Sequence, residues 1–263
     1  MKKNKLLLIG GMVLALHLAG TALTAQAAPV LRVFVDTAGV LQVRAQPGGD
    51  NEITVVPSPG QLTHVIVGDD ASTVVTEAPC EKLPGNRVAC PLSKIKQIFV
   101  DTDDGNDTIT HNGVGRPARL LAGRGDDRVF GSRESETIDL GPGNDTAQPG
   151  RGTDLVSGGD GTDHVLYADR PVSIVVQLDD LSNDGEPGEN DNIMSDVENL
   201  TGGFGSDDLT GSNQANVIRG SGGDDRIVGL DGDDILIGDA GADRTDGGNG
   251  LDRCDAESVI NCP

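Results

Sequence analysis

The chain has 263 residues, with 42 Asp+Glu against 20 Lys+Arg and a formal net charge of -22. Such acidity repels nucleic acid and anionic membrane and favours cations as partners. Aromatics are 2 % of the chain, there is no Trp, and Gly takes 38 positions, roughly twice its usual share, which argues against one thick globular core.

Residues 1–27 have the layout of a secretory signal peptide. Lys2, Lys3 and Lys5 precede an apolar run from Leu6 to about Ala19, and Ala25-Gln26-Ala27 gives a small-residue cleavage site before Ala28. The run is shorter than the roughly 20 apolar residues of a bilayer span and contains Gly10, Gly11 and His17. The expected location is therefore secreted, extracellular or at the cell surface, without membrane insertion. Residues 28–100 alternate short apolar runs (31–35, 40–43, 53–56, 65–67, 98–100) with Pro/Gly turn signals at 47–50 and 57–60. They read as a small antiparallel β region that caps the rest of the chain, with Gly48-Gly49-Asp50-Asn51-Glu52-Ile53 as a degenerate copy of a repeat that fills the C-terminal two thirds. Four Cys allow three disulfide pairings, and in an exported chain the spacing favours two local bridges, Cys80–Cys90 and Cys254–Cys262.

A first repeat array occupies residues 101–166. After a forerunner at 102–110 (TDDGNDTIT) and an eleven-residue stretch, nonapeptides run from Ala122: AGRGDDRVF, GSRESETID, LGPGNDTAQ, PGRGTDLVS and GGDGTDHVL. Residues 167–201 break the period. Within them 172–178 (VSIVVQL) reads as a strand, and Asp180, Ser182, Asp184, Gly185 and Asp191 form an acidic loop. That loop is either an EF-hand-like calcium loop with Ser at its third position and Asp at its twelfth, or a solvated acidic turn. A second array, 202–255, runs without a gap: GGFGSDDLT, GSNQANVIR, GSGGDDRIV, GLDGDDILI, GDAGADRTD and GGNGLDRCD. Residues 256–263 form a C-terminal cap, with Thr245 and Cys254 replacing the apolar residue of the last two blocks. Position eight is otherwise mostly apolar: Val129, Ile138, Ala147, Val156, Val165, Leu209, Ile218, Ile227 and Leu236. A linker has no reason to keep that register.

The pattern G-G-x-G-x-D-x-U-x, with U apolar, resembles the repeats-in-toxin (RTX) family of haemolysin-type calcium-binding repeats. The resemblance implies an all-β fold, a calcium-binding parallel β-roll of about 18 residues per coil with one U side chain per strand pointing inward. It implies Ca2+ as the cofactor, held between a turn and the same-side turn one coil later. The residues matching the position-six carboxylate are Asp107, Asp127, Asp145, Asp154, Asp163, Asp207, Asp225, Asp234, Asp243 and Asp252. Alternate blocks share a side, so Asp207, Asp225 and Asp243 form one column, and Asn216, Asp234 and Asp252 another. Asp127, Asp145 and Asp163 form a third, which Asp107 extends. The blocks GSRESETID, which has Glu136 and lacks the fourth-position Gly, and GSNQANVIR, with Gln214 and Asn216, depart from the pattern and predict weak sites.

No H-E-x-x-H or G-x-S-x-G occurs, and His64, His111 and His164 are isolated in sequence, so no enzyme activity is expected. The expected function is secreted calcium binding coupled to folding. The alternative is a calcium-dependent adhesin with a cell-surface or extracellular polysaccharide partner, for which Phe130 and Phe204 are the aromatic candidates.

Overall fold

The computed structural model describes residues 30–59, 63–69 and 72–262; the signal-peptide segment lies outside them. β1 (Val30–Val35) and β2 (Val40–Arg44) form an antiparallel hairpin. Asp36 closes its turn by accepting the Ala38 and Val40 N–H groups on Oδ1 at 2.9 Å. β3 (Glu52–Pro57) and β4 (His64–Asp69) pair in the same way. β5 (Thr73–Thr76) lies parallel to β1, while β6 (Glu81–Leu83) and β7 (Arg87–Pro91) extend the sheet antiparallel from β4. The Cys80–Cys90 disulfide ties this region together.

The parallel ladder begins where these hairpins meet β8 (Gln97–Asp101) and β9 (Thr108–His111). β2 runs parallel to β8 with Leu41 opposite Ile98, and β3 runs parallel to β9 with Ile53 opposite Ile109. The turn at residues 48–51 is thus stacked as a coil. Gly48 N–H donates to Asp104, and Asn106 N–H donates to Asp50 at 2.9 Å. From here the chain winds through β10 (Ala118–Leu121), β11 (Arg128–Phe130), β12 (Glu136–Asp139), β13 (Thr146–Gln148), β14 (Leu155–Ser157) and β15 (His164–Leu166). Even-numbered strands stack on one face of the roll and odd-numbered strands on the other. The eleven-residue stretch before Ala122 is therefore not a gap, because it carries β10, with Leu120 opposite Val100 and Ile138.

Residues 167–201 supply β16 (Val175–Gln177), β17 (Asn192–Ile193) and β18 (Asn199–Thr201). β17 stacks on β14 and β18 on β15, whereas β16 reaches ahead to pair with β19 (Asp208–Thr210). Antiparallel bridges Asp184–Asp191 and Val175–Gly185 join the β17 and β16 sides. The second array continues as β20 (Val217–Gly222), β21 (Arg226–Asp231), β22 (Ile235–Ala240), β23 (Arg244–Asn249), β24 (Arg253–Asp255) and β25 (Ser258–Ile260). One twelve-stranded sheet runs from β6 through β4, β3, β9 and β18 to β24, so the two arrays share a face. The fold is an all-β parallel β-roll.

The core is as thin as the composition requires. Each repeat strand buries its middle residue and exposes or half-exposes its neighbours: Val129 is buried between exposed Arg128 and Phe130. The inward residues stack in register, Ile109–Val129–Ala147–Val165–Leu200–Ile218–Leu236–Cys254 on one side. Each buried Val, Ile or Leu contributes about 1.5–3 kcal/mol. At the C-terminal end Cys254 takes the inward place and is bonded to Cys262.

Candidate metal centres

Each repeat places its position-six residue at the end of a tight turn, just before a strand, where it is drawn inside the roll. There its Oδ1 accepts the N–H of the equivalent residue one coil earlier. On the twelve-stranded side, Asp107 N–H donates to Asp127 at 2.6 Å, Asp127 to Asp145 at 2.7 Å, and Asp145 to Asp163 at 2.9 Å. Asp163 N–H continues the column to Glu198 at 2.8 Å, and Asn51 N–H starts it by donating to Asp107 at 2.6 Å. Further along the same side, Asn216 donates to Asp234 at 2.8 Å and Asp234 to Asp252 at 3.0 Å. On the opposite side of the second array, Asp207 donates to Asp225 at 2.8 Å, Asp225 to Asp243 at 2.9 Å, and Asp243 to Glu257 at 2.9 Å. The three expected columns are therefore assembled, and Asn51, Glu198 and Glu257 extend them.

The second oxygen of these carboxylates is the informative atom. Oδ2 of Asp107, Asp127, Asp145, Asp154, Asp163, Asp225, Asp234, Asp243 and Asp252 is buried with no hydrogen-bond partner. A buried carboxylate oxygen without a partner is costly and calls for a cation or a proton. Asp207 differs: its Oδ2 accepts Gly203 N–H at 2.7 Å, and its Oδ1 accepts Ile174 N–H at 2.9 Å.

Glycine makes the cradle. A Cβ at Gly238, first in its block, would collide with Asp243 Oδ2, and one at Gly223, with φ +109°, would collide with the Gly205 carbonyl of the preceding coil. Turn carbonyls and unpartnered carboxylate oxygens therefore crowd together between coils. This all-oxygen donor set suits a hard divalent cation of flexible coordination. The residues present fit calcium.

Burial is the main cause that raises six of these carboxyls above the ordinary carboxylate range. It pushes Asp145 up to about 7, and Asp107, Asp127, Asp163, Asp225 and Asp234 up to about 6, with stacked neighbouring carboxylates adding to the rise. Asp207 is raised by the same cause.

The fourth column was only half legible in the sequence. Glu136 N–H donates to Asp154 at 2.7 Å, and Asp154 N–H donates to Asp191 at 2.9 Å. Here protein side chains occupy both ends. Tyr167 donates its hydroxyl to Asp191 Oδ2 at 3.0 Å, and His111 Nδ1 lies 2.9 Å from Glu136 Oε1. Burial, with carboxylates on either side in the column, raises the Asp154 carboxyl far beyond its ordinary range.

The acidic loop does not converge on a common centre. Asp184 accepts Gln177 N–H on Oδ1 and Ile193 N–H on Oδ2, at 2.7 and 2.8 Å. Asp180 accepts Ser195 N–H at 2.8 Å, and Asp191 belongs to the Asp154 column. Asp184 and Asp191 are buried, while residues 180–183 between them and β16 are exposed. Asn216 likewise turns its Oδ1 back to the Ser212 N–H of its own turn at 2.7 Å, which interrupts its column.

The family model of the RTX calcium-binding nonapeptide repeat matches the chain in four copies, at residues 115–147, 149–167, 201–232 and 219–254. No curated protein matches the chain.

Proposed function

We propose that this chain, which carries RTX calcium-binding nonapeptide repeats, is a secreted protein that takes up Ca2+ between the stacked turns of its roll and folds as it does so. Buried unpartnered Oδ2 atoms aligned coil upon coil carry this reading. The best-formed sets are Asp107, Asp127, Asp145 and Asp163 in the first array, and the pairs Asp225–Asp243 and Asp234–Asp252 in the second. Calcium bound there supplies positive charge to oxygens that otherwise lack any partner. The chain's own contribution is to hold each carboxylate by its Oδ1, keep Oδ2 pointed at the glycine turn, and exclude water from both. Metal affinity then adds directly to folding free energy. A chain entering the secretory route from low cytosolic calcium stays unfolded until it meets the higher calcium outside. Calorimetric calcium titration of the chain and of the Asp234→Ala/Asp252→Ala variant tests the assignment. The expected result is a lower stoichiometry and loss of the tightest sites; unchanged stoichiometry would refute the register.

A further inference from the structure

His111 lies one residue beyond the Thr110–Phe130 register pair, so it occupies the slot that Gly131 fills one coil later. Its imidazole is fully buried, and it meets Glu134 and Glu136, more than twenty residues away in sequence. One nitrogen of His111 and one carboxylate oxygen from each glutamate lie within 4.8 Å of one another. These glutamates stand at positions four and six of GSRESETID, the block that departs most from the calcium motif.

The hydrogen bonds of this cluster do not close without an added proton or a cation. Ser132 has a single hydroxyl proton, yet its Oγ approaches both Glu134 Oε2 and Glu136 Oε1, the latter at 2.7 Å. One of those contacts is then oxygen against oxygen with no proton between. The same Glu136 Oε1 faces His111 Nδ1 at 2.9 Å, and His111 Nε2 is buried without a partner. In either neutral tautomer or as imidazolium, the ring leaves at least one nitrogen unsatisfied. Glu134 is held in place by Gly115 N–H, which donates to its Oε1 at 2.9 Å.

We propose that His111, Glu134 and Glu136 form a transition-metal site, zinc by its ligand chemistry, in the coil where the calcium motif is degenerate. Imidazole with carboxylates suits zinc, whereas calcium and magnesium take oxygen ligands alone. Two carboxylates and a neutral imidazole balance the 2+ charge, and Ser132 supports both glutamates from behind. The ion would pin the end of β9 to the turn between β11 and β12 and to the start of β12.

Zinc titration of the calcium-saturated chain tests this, together with visible absorption of the Co2+-substituted protein. With the calcium columns filled, the wild type should bind one equivalent of zinc and give a Co2+ d–d band. His111→Gln should abolish both, and Glu134→Gln, at a half-exposed position, should weaken zinc binding about tenfold or more while leaving calcium stoichiometry unchanged. If His111→Gln fails to fold, Glu134→Gln decides alone. Absence of zinc uptake by the wild type, or uptake unchanged in a folded Glu134→Gln variant, would overturn the proposal.

Discussion

Ten aspartates were readable as site candidates because each stands at position six of its nine-residue block, two places before the inward strand residue. The three carboxylates that extend or complete their columns, Asp191, Glu198 and Glu257, lack the preceding glycines. The signal they share is an acidic residue two places before an aliphatic one, as in Asp191–Ile193, Glu198–Leu200 and Glu257–Val259; Asp191 also closes the acidic loop, and Glu198 lies nine residues before Asp207. His111 was unreadable because its partners are brought to it by one turn of the roll. The raised aspartates set the pH behaviour of the metal-free chain. Each holds a proton in the metal-free fold at pH values where the unfolded chain has released it, so its contribution to stability is present below about pH 4 and is lost as pH rises through about 6 to 7. In chelator, any roll structure is therefore expected to be more stable at pH 5 than at pH 8. In excess calcium the order reverses, because protons compete with the ion for the same oxygens. Thermal melts at the two pH values, with and without calcium, check this; the same order in both conditions would contradict it.

At the scale of the element, the inward residue of each strand should carry most of the packing energy. Ile227 is fully buried in the stack, while Ile235 is the same residue type on an outward strand position. Ile227→Ala is expected to cost about 2–5 kcal/mol and Ile235→Ala within about 0.5 kcal/mol, measured by denaturant unfolding in calcium. Equal costs would mean that the U register is misplaced. That register was plain in the sequence wherever the nine-residue phase held. It was lost at β10, where Asn112-Gly113-Val114-Gly115-Arg116-Pro117 lengthens the loop, and at β17, which comes after the detour of β16. Those strands still obey the inward rule with Leu120 and Ile193, while β18 regains the phase, its inward Leu200 lying nine residues before Leu209.

For the whole molecule, the governing quantity is charge. A chain of net charge -22 folds its carboxylates into internal columns along a core one side chain thick. The N-terminal hairpins cover the first coil, and the Cys254–Cys262 disulfide closes the last, so the ends of the stack are protected. Between them stability rests on neutralising the columns. The most direct measurement is a calcium titration of the chain lacking residues 1–27, starting in chelator and monitored together by far-UV circular dichroism and hydrodynamic radius. The account predicts an expanded chain with little β-structure in chelator and a cooperative, saturable collapse to the β-roll as calcium is added. A compact chain with full β-structure in chelator, unmoved by calcium, would contradict it.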